Sequence, residues 1–402
     1  MSRPDVAIIG AGIVGLATAT ALARRRPDLR LVVIEKESAV ARHQTSHNSG
    51  VVHSGIYYRP GTLRARLCVS GVAKMRAYCH EHDLTYQEVG KVVVATEASE
   101  LERLNVLFER GNANGVPDLS LIGPDELREI EPHAAGLQAI HSPHTAIIDF
   151  PAVARQLQQD FEEAGGEVRL ATAVEGIRAT GGAVTLSTSQ GPLEVGHVIS
   201  CGGLNADRLA RMAGADVKDV RIVPFRGEYY LLREESRHLV KGLIYPVPDP
   251  ALPFLGVHLT RTVSGEIEAG PNAVFALSRE GYKQFDVRLA DIVDAASFPG
   301  LWRMASRFWK TAGYELYRSF SKTAFVTALQ RLVPDIGPND VHRGGAGVRA
   351  QALGSDGKLF DDFVIRSSPR ALHLINAPSP AATASLAIGE HLVDEAVQSF
   401  GL

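Results

Sequence analysis

The spacing of apolar residues changes along the chain, and each change marks an element. Val6 to Ile9 is a short unbroken apolar run; beyond Gly10 to Gly15 the alanine-rich stretch "LATATALARR" repeats its apolar positions at helical spacing. A second apolar run, "LRLVVIE", closes on Glu35. Strand, helix and strand within about thirty residues form the opening of a βαβ unit. Further on, "PAVARQLQQDFEEAGGEVRLATAVEGIRAT" predicts a helix from about Pro151, a glycine stop and a strand ending near Val174. A hairpin-like pair follows in "AVTLSTSQGPLEVGHVISCGG", whose last strand, Val195 to Ser200, runs into Gly202-Gly203.

Other stretches have a different rhythm. "KVVVATE" at Lys91, then "VPFRGEYYLL", "GLIYPVPD", "FLGVHLTR" and "SGEIEAGPN" between Val223 and Asn272, read as short strands separated by turn residues. They predict a second, antiparallel sheet inserted into the first domain. Near the end, "HLINAPSPAATASLAIGEHLVDEA" predicts a strand at Leu372 to Ile375, a Pro-rich turn and a helix opening near Ala381. "PGLWRMASRFWKTAGYELYRSF" reads as an amphipathic helix, with Leu301, Ala305, Phe308, Trp309 and Ala312 on one face and Arg303, Arg307 and Lys310 on another. Such a helix either packs on the second sheet or lies in a bilayer interface.

At 402 residues the chain is long enough for two or three domains. Its net charge of −3, with no basic run, argues against a nucleic-acid partner and for a small-molecule ligand. Cys68, Cys79 and Cys201 have no metal-ligand spacing, and any disulfide would leave one unpaired, which suits a reducing compartment such as the cytosol. "VAIIGAGIVGLA" is too short and too rich in glycine for a signal anchor, and no other window reaches about eighteen apolar residues. A soluble protein, or one peripheral to a membrane, is expected.

The chemistry begins at Gly10-Ala11-Gly12-Ile13-Val14-Gly15. Gly10 suits a tight turn, Gly12 a close approach to pyrophosphate and Gly15 close packing of helix on strand, while Glu35 stands where a ribose hydroxyl is accepted and a 2′-phosphate refused. NAD and FAD both fit. About ten residues on comes "QTSHNSGVVHSGIYY", a polar run with two histidines and no clean periodicity.

The opening fingerprint, this His-bearing run, "VISCGG" and "INAPSPAATASLAIGE" together resemble the FAD-dependent D-amino-acid oxidase-like superfamily. Within it, "TSHNSGVVHSGIYYRPGTLRARLCVSG", "IYPVPDPALPFLGVHLTRTVSGEIEAGPNA" and "GAGVRAQAL" look like the L-2-hydroxyglutarate oxidase or dehydrogenase family. The resemblance implies an α/β (α+β) flavoenzyme that oxidises L-2-hydroxyglutarate to 2-oxoglutarate with FAD, passing electrons to a quinone or oxygen. A Rossmann-like FAD-binding domain would comprise 1–85, 146–220 and 330–402, and a substrate domain with a mainly antiparallel sheet 86–145 and 221–329.

The implied FAD contacts are Gly10, Gly12, Ile13, Val14, Gly15, Glu35 and Lys36, then Thr45, Ser46, Asn48, Ser49 and Gly50, then Val174, Gly202 and Gly347. The turn Ser379-Pro380-Ala381-Ala382 would present helix N–H groups to the flavin pyrimidine edge. His53 is the expected base for the substrate hydroxyl, because a neutral imidazole accepts a proton near pH 7. His47 is open between phosphate contact and packing, and a covalent flavin link through a histidine or cysteine is also open. Two substrate carboxylates call for cations and donors, for which Arg349, Arg226, Tyr245, His258 and Thr260 are the candidates. The competing readings are another FAD-dependent oxidase acting on an amino acid, an amine or glycerol 3-phosphate, an NAD-dependent dehydrogenase, and a flavin-binding module without catalysis.

Overall fold

Val6–Ile9 is buried along its whole length, as a parallel strand covered on both faces must be. In the computed structural model, which describes residues 3–249 and 256–402, it lies in a six-stranded sheet between His197–Ser200 and Leu31–Ile34. Ala371–Asn376 and Glu167–Arg169 continue the sheet in parallel, and Val364–Ser368 closes one edge in antiparallel fashion. Helices Ile13–Arg25, Phe150–Glu163 and Ser385–Phe400 cover one face through Leu16, Leu22, Leu157, Phe161, Ile388 and Leu392. A meander of Val174–Thr180, Ala183–Thr188 and Gly191–Val195 covers the other, packing Ile177, Val184 and Leu186 against Ala7, Ile9 and Val32.

Two expected strands are each divided in the fold. Instead of one strand ending near Val174, Glu167–Arg169 belongs to the large sheet, Ala171 turns with φ 50°, and Val174 opens the meander. Val195 likewise ends a meander strand, and His197 starts the next strand of the large sheet. At both places the chain crosses from one layer to another while most of its residues stay small or apolar, so the pattern hides the break.

The second sheet has nine strands and is mainly antiparallel. Its spine is the long pair Val220–Leu232 and Val341–Gly354, with Val220 opposite Gly354 and Leu232 opposite Val341. Ile267–Gly270, His258–Arg261 and Leu243–Pro246 follow; Lys91–Ala95 then joins parallel to Leu243–Pro246, and Gln138–Ser142 and Ser120–Ile122 complete that side. Phe254 and Leu255, expected at the start of the strand ending in Arg261, lie outside the described residues. A boundary at residue 330 divides this unit: Phe325, Leu329, Leu332, Val333, Ile336 and Val341 share its core, and the whole strand Val341–Gly354 hydrogen bonds within it.

Pro299–Phe320 is a helix of 22 residues that bends at Phe308, where φ is −113° and ψ 18°. The bend splits the expected apolar face. Leu301 and Phe308 turn inward with Met304 against Val223, Phe225 and Leu353, whereas Ala305, Trp309 and Ala312 stay outside with Trp302.

Candidate active site

The first strand, the glycine turn and the following helix form the floor of a cavity of about 520 Å³. Gly10 has φ +102°, and a Cβ there would lie 2.6 Å from the Cys201 carbonyl oxygen; a Cβ on Gly15 would lie 1.9 Å from the Gly10 carbonyl oxygen. Only glycine meets both constraints. Gly12 caps the helix without a side-chain hydrogen bond of its own, and the first turn holds no acid, so the first-turn N–H groups beyond Ile13 are left for an anion. Glu35 accepts from Ala11 N at 2.7 Å and Glu37 N at 3.0 Å, which fixes its carboxylate at the cavity wall. Thr45 Oγ1 accepts from Ile13 N at 3.1 Å. A glycine-lined anion site with a fixed carboxylate one strand away fits the diphosphate and ribose of FAD.

Of the expected cofactor residues, Gly10, Gly12, Ile13, Val14, Gly15, Glu35, Lys36, Thr45, Val174, Gly202, Ala381 and Ala382 line this cavity. Ser46, Asn48, Ser49, Gly50, Gly347, Ser379 and Pro380 do not. The reason for the loop residues is local: Ser46 Oγ donates to His43 O, Asn48 Nδ2 donates to Gln44 O and Thr45 O, and Asn48 Oδ1 accepts from Gly50 N, so these groups fold the loop on itself. Gly347 supports that loop from below, since a Cβ on it would lie 2.5 Å from His47 O. Ser379 O accepts from Arg64 Nε at 2.7 Å.

The closing helix starts at Ser385 rather than near Ala381. Residues 378–384 form turns instead, with Ala381 N bonded to Pro378 O and Ala384 N to Pro380 O, and Thr383 Oγ1 donates to Val51 O. Ala381 and Ala382 therefore reach the cavity from a turn. Arg42, His43, Gln44, Asn205, Arg208, Glu280 and Arg288 also line it, none of them marked by the fingerprint. Arg208 comes from the helix Ala206–Met212 and Asn205 from the helical turn just before it, the others from segments outside the long helices and strands.

His53 stands between the two sheets. Its N–H donates to Thr383 Oγ1 at 3.1 Å and its carbonyl accepts from Cys68 Sγ at 3.1 Å, while its Nδ1 is buried without a partner. Val51, Ile56 and Tyr57 on either side pack against Val93, Leu243 and Tyr245 of the second sheet, and this contact sets the position of the imidazole. Burial, then the charges of Lys91, His258 and Arg64, push its pKa well down, so the ring is neutral.

His258 is close enough to act on it, Tyr245 stacks on His258 and Thr260 adjoins Tyr245, all three buried. The His258 ring stacks on Tyr245 with centroids 4.0 Å apart, and its Nδ1 donates to Gly256 O at 2.9 Å, which leaves Nε2 as an acceptor because burial holds the pKa down at about 3. Arg349 lies opposite Phe225 on the long strand pair, and its charge acts on Tyr229, Tyr245 and His258. Arg226 is elsewhere: Glu228 takes its Nε and Nη2, and Lys283 O and Gln284 O take its Nη1. A guanidinium so satisfied has no fork left for a substrate. His47 packs, its ring 3.9 Å from that of Tyr282.

The residue that pattern reading missed is Lys91. It is 2% exposed, with Nζ 3.9 Å from the Tyr245 ring centroid and 4.5 Å from that of Tyr57. Its one signal in the sequence is a charge at the head of the apolar run "KVVVA".

The family described as FAD dependent oxidoreductase matches residues 5–395. The chain is 48% identical over 396 residues to the L-2-hydroxyglutarate dehydrogenase of Indibacter alkaliphilus, covering 98% of this chain and 99% of that protein. It is 46% identical to the mitochondrial L-2-hydroxyglutarate dehydrogenase of Homo sapiens, covering 99% and 89%. Among solved structures, the L-alpha-glycerophosphate oxidase of Mycoplasma pneumoniae with FAD bound matches with a TM-score of 0.80 at 24% identity, over 100% of this chain and 96% of that one. The glycine oxidase of Geobacillus kaustophilus matches with a TM-score of 0.74 at 20% identity, over 99% and 95%. These two share the fold.

Proposed function

Because the chain belongs to the L-2-hydroxyglutarate dehydrogenase family of FAD dependent oxidoreductases, we propose that it oxidises L-2-hydroxyglutarate to 2-oxoglutarate with His53 as the base. The observation that carries this reading is the buried, partnerless Nδ1 of His53, with the cations Lys91 and Arg64 close enough to act on it. Bound FAD supplies the acceptor for the α-hydrogen and its electron pair. The side chains supply the rest.

A neutral His53 takes the hydroxyl proton, and its backbone, held by Thr383 and Cys68, keeps the ring from retreating. Burial first, and then Lys91, His258 and Arg64, make the imidazole a weak base in the free enzyme. Arg349 serves the carboxylate next to the reacting carbon: its strand reaches the cofactor cavity at Ala350, and its charge acts on Tyr245 and His258. The Thr260 hydroxyl offers a donor to the substrate hydroxyl oxygen.

Anaerobic mixing tests this directly. L-2-hydroxyglutarate is expected to bleach the flavin band near 450 nm and D-2-hydroxyglutarate to leave it. Bleaching by neither enantiomer, or faster bleaching by glycerol 3-phosphate or an amino acid, rules the substrate out.

For the electrons' exit we infer a quinone in a bilayer surface rather than oxygen, from the aromatic outer face of Pro299–Phe320 and its cations.

A further inference from the structure

Lys91 heads a strand whose other residues are apolar and buried. An ammonium in that position is destabilising unless something compensates it. Two rings do so in part, because the π faces of Tyr57 and Tyr245 attract a cation. Among the described residues no carboxylate pairs with it: its electrostatic neighbours are the Cys68 thiol, His53 and His258. The Tyr57 hydroxyl beside it is buried without a hydrogen-bond partner. A fixed cation and an unused donor in one pocket describe a receptor for an anion.

The two ends of the pocket differ. Arg349 adjoins Ala350 at the cofactor cavity, whereas no residue of Lys91–Ala95 lines that cavity. The reacting carbon must lie against the cofactor, so its own carboxylate falls to the Arg349 end and the second carboxylate extends away from it. Resting on the substrate reading above, we propose that Lys91, framed by Tyr57 and Tyr245, binds the substrate carboxylate remote from the reacting carbon and thereby selects a dicarboxylate over a monocarboxylate.

This assignment has a pH consequence. Burial pushes Lys91 down to about 7, so the free site carries its charge below that pH and loses it above. Binding of the dianion then requires a proton to be taken up, and KM rises by up to about tenfold per pH unit above 7. The groups facing Lys91 do not titrate there. His53 and His258 are pushed down, Tyr57 and Tyr245 up and Cys68 up to about 12. Glu268, pushed up to about 7 by burial and Glu266, acts on Tyr229 and Tyr245 instead, and a Lys91 variant separates its effect.

The test compares FAD-loaded wild type with Lys91→Met on L-2-hydroxyglutarate and on L-2-hydroxybutyrate, which lacks the remote carboxylate. For the dicarboxylate, KM is expected to rise about 100-fold, the effect of leaving a buried carboxylate unpaired, with kcat within about threefold. For the monocarboxylate, kcat/KM stays within about threefold, and the rise of KM above pH 7 disappears. Flavin content and melting temperature report folding, and Lys91→Gln replaces Lys91→Met if the latter does not accumulate. A dicarboxylate KM within about threefold of wild type, or an equal loss on both substrates, overturns the assignment while leaving the substrate reading intact. Wild-type flavin that L-2-hydroxyglutarate does not bleach overturns both.

Discussion

His53 shows what a single residue can be asked to do. Its backbone is tied on both sides and its side chain to nothing, so truncating the ring removes chemistry and spares architecture. His53→Ala is expected to slow flavin reduction by L-2-hydroxyglutarate by about 10²- to 10⁴-fold, the range for losing a general base, with FAD content unchanged. Stopped-flow absorbance at saturating substrate measures it, and a rate within tenfold of wild type would remove His53 from that role. His53 could be picked out in the sequence as a candidate, chiefly because the polar run that carries it beyond Glu35 resembles the family's. Lys91 could not, because in a linear pattern a lysine before three valines reads as a solvated strand end; only pairing on both sides, with Leu243–Pro246 and with Gln138–Ser142, encloses it. Arg226 and Arg349 looked alike for the same reason. Glu228, two residues along, claims the first, and proximity to the cofactor cavity distinguishes the second.

At the scale of elements, the strand Val341–Gly354 does two jobs. It completes the second sheet and supports the loop that carries Gln44 and Thr45 to the cofactor cavity. Gly347 is the point of closest approach, so Gly347→Ala must move either the strand or the loop, at a cost of about 1–3 kcal/mol. Weaker FAD retention and a lower melting temperature are expected. Gly345→Ala, whose Cβ meets nothing within 4 Å, provides the control on the same strand. Equal FAD affinity in both variants, measured by flavin fluorescence on titration, would show that the contact has no functional weight. Periodicity found most of the strands and helices, but missed the crossings between layers at Ala171 and Gly196 and the delay of the last helix to Ser385. Those boundaries depend on which layer a residue joins and on tertiary bonds such as Thr383 to Val51, which a one-dimensional pattern does not contain.

For the whole molecule, the two-sheet plan followed from the sequence, whereas the outer surface had to be seen. Among the described residues no helix is long and apolar enough to cross a membrane. Trp302, Trp309 and Phe320 on Pro299–Phe320 are nevertheless 61%, 65% and 60% exposed, and Leu316 lies between the last two on the same side. The preceding helix, Leu289–Ala296, adds Leu289 and Val293 and is joined to this face where Trp302 Nε1 donates to Ala296 O. Exposed cations Arg303, Arg307 and Lys310 flank the apolar residues, and the helix's one acid, Glu315, pairs with Arg318. Aromatic side chains beside uncompensated positive charge suit an anionic bilayer surface. The patch also adjoins the cofactor cavity, since Arg288 lines it and Leu289 follows. The protein is therefore expected to sediment with vesicles containing phosphatidylserine or cardiolipin at low ionic strength and to release in part at about 0.5 M salt, where the Debye length falls to a few Å. Trp302→Ala with Trp309→Ala should lower the bound fraction several-fold without changing flavin bleaching in solution. Absence of binding at low salt, or binding unaffected by the double substitution, would remove the bilayer as the occupant of this face and return oxygen as the electron acceptor to be tested first.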